Sequence, residues 1–375
     1  MIIDFVTTKR ELSRLLDRCH GVADKKSAVP ALANVLLTAE GKALRVAATD
    51  LYLAMSGEIP AEIATPGAIA LPAKDLFERV KAMADGPVHI TADAKGQATI
   101  KSVGNARRYT LHGLLGTDFP VLPQPEGDAL TLPVDLFAML MHRTHFSIST
   151  DETRAHVNSA LFEWSGHIVR MVSTDGHRLS KMEATVERDG LASMLIPLKA
   201  VGELRRLCDH AKSEKATEIE IRRDKSTAFF DVAGLRFSCK LADAAFPPYQ
   251  QVIPQIGRET SVSRIKFAEA LKAVSLAASD RTGGVKIALS SGALRVTAES
   301  PESGNAEDVV DVDYAGPEVT IGVNAKYILD VLAAVDHEAV RFGAAGELDP
   351  MTLRVDDGGK PDEPGYVAVI MPVRI

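Results

Sequence analysis

One pattern recurs three times in this 375-residue chain, at intervals of about 125 residues, and it limits the possible folds more than any other feature. "LPAKDLFERVKAMA" (71–84), "IPLKAVGELRRLCDHAK" (196–212) and "GVNAKYILDVLAAV" (322–335) each read as a helix opened by Pro or Asn. A second helical set has the same period: "KRELSRLLDRC" (9–19), "PVDLFAMLMHR" (133–143) and "RIKFAEALKAVSLAA" (264–278). The third set is "ALRVAATDLYLAMSGEI" (43–59), "HIVRMVSTDGHRLSKMEATV" (167–186) and "ALRVTAESPESGNAEDVVDV" (293–312). In each of these, two alternating runs flank a polar turn, as in paired antiparallel strands. A fourth set, "YTLHGLLGTDFPVLP", "FSCKLADAAFPPYQQVIP" and "YVAVIMPVRI", closes each repeat. The period predicts an α+β chain of three repeated domains, 1–127, 128–255 and 256–375. Each has two helices backed by antiparallel strands. "FPVLPQPEGD" and "FPPYQQVIPQIG" serve as linkers.

Composition places the chain among soluble globular proteins, with 46% hydrophobic and 25% charged residues. Cys19, Cys208 and Cys239 are widely separated and odd in number, which fits a reducing compartment. No signal-like N-terminus and no apolar run of about 20 residues occurs, so a cytoplasmic location is expected. The net charge of −7 alone argues against a nucleic-acid partner. Its distribution argues the other way, because basic residues outnumber acidic ones on the helical segments. Leu12, Leu15, Leu16 and Cys19 form one apolar stripe and leave Arg10, Arg14 and Arg18 outside it. Val201, Leu204, Leu207 and Cys208 do the same for Arg205, Arg206 and Lys212. Such faces can be merely solvated. Repeated on six helices, they can also line one polyanion, and duplex DNA carries a charge about every 1.7 Å of axis. With few aromatics among them, the expected contact is with phosphates and independent of sequence.

"STDGHRLS" (173–180) concentrates hydroxyls, a carboxylate, an imidazole and a guanidinium in eight residues. Ser173, Asp175 and His177 share one face of an extended strand but stand too far apart for a tight catalytic triad, and no G-x-S-x-G elbow is present. Asp175 and His177 have no companion set for a metal, and His142 and His145 are a lone pair near a helix end. No phosphate-binding glycine motif appears. The expectation is a non-catalytic protein with no metal and no cofactor. The stretch is then either a plain hairpin turn or a docking surface.

The threefold repeat, "TDGHRL", "FPPYQQVIP", "NAKYILDVL" and the terminal "MPVRI" together resemble the bacterial DNA sliding clamp family, the beta subunit of DNA polymerase III, over essentially the whole chain. The resemblance implies a head-to-tail homodimer ring of six similar domains around duplex DNA. Twelve helices spaced about 9 Å apart would leave a hole roughly 24 Å wide, enough for a duplex and a layer of water. DNA-facing residues would be Arg10, Arg14, Lys26, Lys81, Lys199, Arg205 and Arg206. A surface pocket would take short motifs of the polymerase alpha subunit, the clamp loader, other polymerases and repair proteins. It would use Val157, Thr174, Gly176, His177, Arg178, Leu179, Pro247, Val252, Asn324, Tyr327, Val369, Met371, Pro372, Val373 and Arg374. His177, Arg178 and Arg374 would orient the peptide, and Gly176 would allow a positive φ in the turn. Gln251 stands where some relatives have a basic residue and His156 where they have an aromatic, so peptide preference is expected to differ. Dimer ends would pair Lys74, Arg107 and Arg108 with Glu302, Glu307 and Asp308, with Leu276 and Ala277 as apolar contacts. A clamp paralogue serving inhibitor resistance would share these features. Depletion in cells separates the two, because only the replicative copy is indispensable.

Overall fold

The computed structural model describes residues 2–255, 258–279, 283–301, 303–355 and 365–375. Each segment expected to be helical is a helix: α1 (Lys9–Cys19), α2 (Ala73–Lys81), α3 (Val134–His142), α4 (Leu198–Ser213), α5 (Arg264–Val274) and α6 (Ala325–Ala334). The start of α1 follows from its sequence. Thr8 accepts from the Glu11 amide at 3.2 Å, and its hydroxyl donates to the Glu11 carboxylate at 2.7 Å, which satisfies an otherwise orphaned helix donor. The expected stripe of α1 is buried at Leu12, Leu15, Leu16 and Cys19.

Contacts group the chain into two units, Met1–Val134 with Arg206–Lys240, and Asp135–Arg205 with Leu241–Ile375. The first unit holds two antiparallel sheets. One runs in the order Glu62–Thr65, Ile3–Thr8, Pro87–Ala92, Gln97–Ser102 and Arg108–His112. The other has nine strands and includes the hairpin Ala43–Thr49/Leu53–Pro60. α1 and α2 lie side by side, with the His20 and Phe77 rings stacked at 4.5 Å, and α1 packs on that hairpin. In the second unit, a six-stranded sheet contains the hairpin Ser159–Thr174/Arg178–Pro197, and a four-stranded sheet is ordered Gly304–Asp311, Ala293–Ser300, Gly284–Ser290 and Val319–Asn324. Both hairpins, and the pairing of Ala293–Ser300 with Gly304–Asp311, agree with the alternating runs in the sequence.

The sheets do not stop where the repeats do. Leu235–Lys240, the closing strand of the second repeat, pairs with Leu53–Pro60 of the first, with Leu53 opposite Cys239. Tyr366–Ile370, the closing strand of the third, pairs with Arg178–Met182 of the second. This explains why three sequence repeats group into two units: the middle repeat contributes strands to both. Cys19, Cys208 and Cys239 are all buried, and burial pushes the Cys19 and Cys239 thiols up to about 12, so they stay protonated. Among the described residues, no helix is long and apolar enough to cross a membrane.

Candidate functional site

STDGHRLS is a hairpin turn held by its own side chains. The Asp175 carboxylate accepts from the His177 and Arg178 amides at 2.9 and 3.0 Å. The Thr174 hydroxyl donates to the Arg178 carbonyl at 2.7 Å and accepts from the Gly176 amide at 3.1 Å. Gly176 takes φ +93°, as expected of a residue without Cβ. The first repeat builds the same turn from Thr49 and Asp50, whose side chains bond the Leu51, Tyr52 and Leu53 amides and the Leu53 carbonyl. Leu51 there takes φ +75° despite its side chain. The turn is therefore a scaffold element. Ser173 is fully buried and donates to the Thr144 carbonyl, so it is not placed as a nucleophile. Among the described residues, no group of three or more His, Cys, Asp or Glu could hold a metal.

What distinguishes the second turn is Arg178, which occupies the place of the buried Leu53. The sequence reading gave Arg178 to the incoming peptide. In the structure the side chain is 9% exposed, and each of its three nitrogens donates to a group of the protein itself. Nε donates to Asp175 at 3.1 Å, one terminal nitrogen to Asp330 on α6 at 2.6 Å, and the other to the Phe146 carbonyl at 2.5 Å. The guanidinium also lies over the Tyr327 ring, 4.5 Å from its centroid. Burial, and secondarily the Asp175 carboxylate, raise the Tyr327 phenol above its ordinary value, so it remains a neutral platform for the cation. Arg178 thus ties the turn to α6. Asp330 is 152 positions away, and no local signal in the sequence marks it as the partner.

The rest of the expected pocket divides into surface and support. Gly176, His177, Val252, Met371 and Arg374 are exposed, and Thr174, Pro247, Asn324, Tyr327, Pro372 and Val373 are half-buried. Val157, Leu179 and Val369 lie below the surface, each at most 3% exposed. Leu179 and Val369 belong to a buried cluster with Leu161, Val172, Leu195, Tyr249 and Val367, against which Phe246 and Ile253 of the linker pack. Asn324 caps α6 by accepting from the Lys326 amide at 2.9 Å. The terminal segment is fastened at both ends. The Met371 amide donates to His177 O at 2.9 Å, and the Val373 amide to Gly322 O at 2.8 Å. A side chain at Gly322 would meet the Val373 carbonyl at 2.4 Å, so this approach requires glycine.

In the first unit, Arg10, Arg14 and Lys81 line a cavity of about 610 Å³ with Lys9, Ser13 and Phe77. Arg14 is not wholly free for a ligand, since it pairs with Glu214 at 2.6 Å. Lys26, Lys199 and Arg206 are exposed, and Arg205 is half-buried. Of the residues expected at dimer ends, Arg108 begins the edge strand Arg108–His112, while Glu307 and Asp308 lie on the edge strand Gly304–Asp311. Glu307 already pairs with Arg295, Lys74 with Glu78 at 3.5 Å, and Arg107 with the Ala82 carbonyl. Leu276 is 83% exposed, but Ala277 is 5% exposed, because the short turn Ser275–Ala277 directs it inward. Only Leu276 of that pair is exposed. Glu302 lies outside the described residues.

Models of the DNA polymerase III beta subunit match the chain in three consecutive pieces: the N-terminal domain over residues 3–123, the central domain over 131–248 and the C-terminal domain over 250–374. The chain belongs to this family. It is 33% identical over 374 residues to the beta sliding clamp of Caulobacter vibrioides, covering 97% of this chain and 98% of that one. With the Pseudomonas aeruginosa beta sliding clamp the identity is 30%, over 99% and 100%. A solved sliding clamp from Pseudomonas aeruginosa, bound to griselimycin, superposes with a TM-score of 0.92 at 28% identity, and one from Bacillus subtilis with 0.92 at 25%. Both alignments cover 100% of each chain. As a beta sliding clamp family member, the protein has three clamp domains and is a non-catalytic processivity clamp of DNA polymerase.

Proposed function

We propose that two copies of the chain close head to tail into a ring around duplex DNA, with domains bounded near residues 127 and 255, in the bacterial cytoplasm. The strand pairing carries this reading. The closing strand of the second repeat completes the sheet of the first, and that of the third completes the sheet of the second. By the same rule, the closing strand of the first repeat, Arg108–His112, should complete a sheet of a third repeat. Among the described residues it has a sheet neighbour on one side only, and so does Gly304–Asp311. An exposed edge strand is a ready template for another chain. These two edges carry opposite charge, Arg108 with nearby Arg107 against Glu307 and Asp308. A heterologous contact of this kind closes after two copies.

In this ring, Arg10, Arg14, Lys26, Lys81, Lys199, Arg205 and Arg206 attract phosphates without reading bases. Retention comes from topology, so the contacts need only be weak enough to slide. The surface of His177, Val252, Met371, Pro372, Val373 and Arg374 takes short apolar motifs of the polymerase alpha subunit, the clamp loader, other polymerases and repair proteins. Met371 adapts to differing anchors, and Arg374 meets acidic groups. Tethering then raises the polymerase's effective concentration at the primer end. Met371→Glu should weaken binding of a fluorescein-labelled peptide copying the polymerase tail by at least about tenfold, since it places a charge in an apolar slot. Fluorescence anisotropy reads this directly, and unchanged affinity would remove Met371 from the docking surface.

A further inference from the structure

The linker Phe246–Ile253 supplies Pro247 and Val252 to the docking surface, yet apart from one short helical turn, Tyr249–Val252, it has no regular structure. Tyr249 is its one buried residue, at 5% exposure. The ring joins the cluster of Leu161, Val172, Leu179, Leu195, Val367 and Val369. The hydroxyl donates to Glu163 at 3.2 Å. Arg170 stands 3.5 Å from that same carboxylate oxygen and 3.5 Å from the hydroxyl, and it forms an ion pair with Glu183 at 2.8 Å. Burial pushes the Tyr249 phenol above its usual value, so it remains a donor.

The first repeat is an internal control. Arg45 stands opposite Glu58, in the register in which Arg170 stands opposite Glu183. Aligned on the turn, Thr38 replaces Glu163. Aligned on the Phe-Pro pair of each linker, Leu122 replaces Tyr249. Donor and charged acceptor are both missing there. That linker leaves Val121 97% exposed, with a cavity of about 540 Å³ between it and the strand residues Leu36, Arg45 and Ala47. Of the two linkers, the one that borders the docking surface carries the polar lock.

We propose that Tyr249, held by Glu163 and Arg170, is a positioning residue for peptide docking: it fixes the linker so that Pro247 and Val252 stand preformed for the incoming peptide. The inference rests on the docking surface described above. A preformed wall spares the complex the ordering of a loose segment on binding. Tyr249→Phe keeps the ring in the cluster and removes only the hydroxyl, and Glu163→Ala removes its acceptor. Each should weaken the polymerase-tail peptide by about fivefold to tenfold at 25 °C, where the chain stays folded. Because Tyr249→Phe acts through the hydrogen bond to Glu163, adding it to Glu163→Ala should weaken binding no further than Glu163→Ala alone. A purely structural role would lower the unfolding temperature without moving the affinity of the folded protein. If Met371→Glu abolishes binding while Tyr249→Phe binds like the wild type, the positioning role is refuted and the docking surface stands. If neither variant changes affinity, the docking surface is refuted and the positioning role falls with it.

Discussion

Arg178→Ala is expected to lower the unfolding temperature of the unit that contains it by roughly 6–12 °C. The side chain is 9% exposed and makes three directed contacts, to Asp175, Asp330 and the Phe146 carbonyl, besides lying over Tyr327. Truncation leaves two part-buried carboxylates without their cation and a carbonyl without its donor. Breaking a buried pair in this way costs about 3 kcal/mol or more, and each kcal/mol is worth about 2–4 °C in a unit of this size. Arg178→Lys should fall between, since an ammonium restores the charge but cannot span three acceptors in a plane. Calorimetry of the purified variants measures this. An unchanged transition in Arg178→Ala would mean that the network contributes nothing net. The same result qualifies any peptide-binding test that alters His177 and Arg178 together, because loss of affinity would then mix docking with loss of the tie to α6. His177, exposed and outside that network, is the residue to change alone.

Leu276→Asp should convert the proposed dimer toward monomer. Leu276 is 83% exposed, just beyond the end of α5, while its neighbour Ala277 is buried within its own chain. In the proposed head-to-tail ring, Leu276 would be covered twice, once at each interface. Burying a leucine is worth about 1.5–3 kcal/mol, and a carboxylate in its place adds a desolvation cost. The dissociation constant should therefore rise by at least about a hundredfold. Sedimentation velocity across a concentration series reads the change. Because the substituted side chain faces solvent in the single chain, unfolding of the monomer should be little altered. An unchanged dimer constant would place the interface elsewhere.

The helices were legible because their apolar spacing is local: Leu12, Leu15, Leu16 and Cys19 reveal the buried side of α1 without knowledge of any partner. The turn was legible for the same reason, since the Thr174 and Asp175 side chains bond the Gly176, His177 and Arg178 backbone within five residues. Strand partners were not. Nothing in the alternation of Leu53–Pro60 specifies pairing with Leu235–Lys240, a contact made across most of two repeats. The tie between Arg178 and α6 was not legible for a related reason. A cation in a polar turn reads as exposed unless a distant acid is known to meet it, and Asp330 was legible only as one more charge on a helix. Tyr249 carried a usable signal, as the only aromatic hydroxyl in a Pro-rich linker whose counterpart in the first repeat has leucine. Its acceptor, Glu163, had none.

The most direct test of a topological clamp is retention on nicked circular DNA after loading by a cognate clamp loader, measured before and after the circle is cut. A ring should be stably retained on the circle and rapidly lost once free ends exist. Equal retention on circular and linear DNA would mean ordinary electrostatic binding and would contradict the ring.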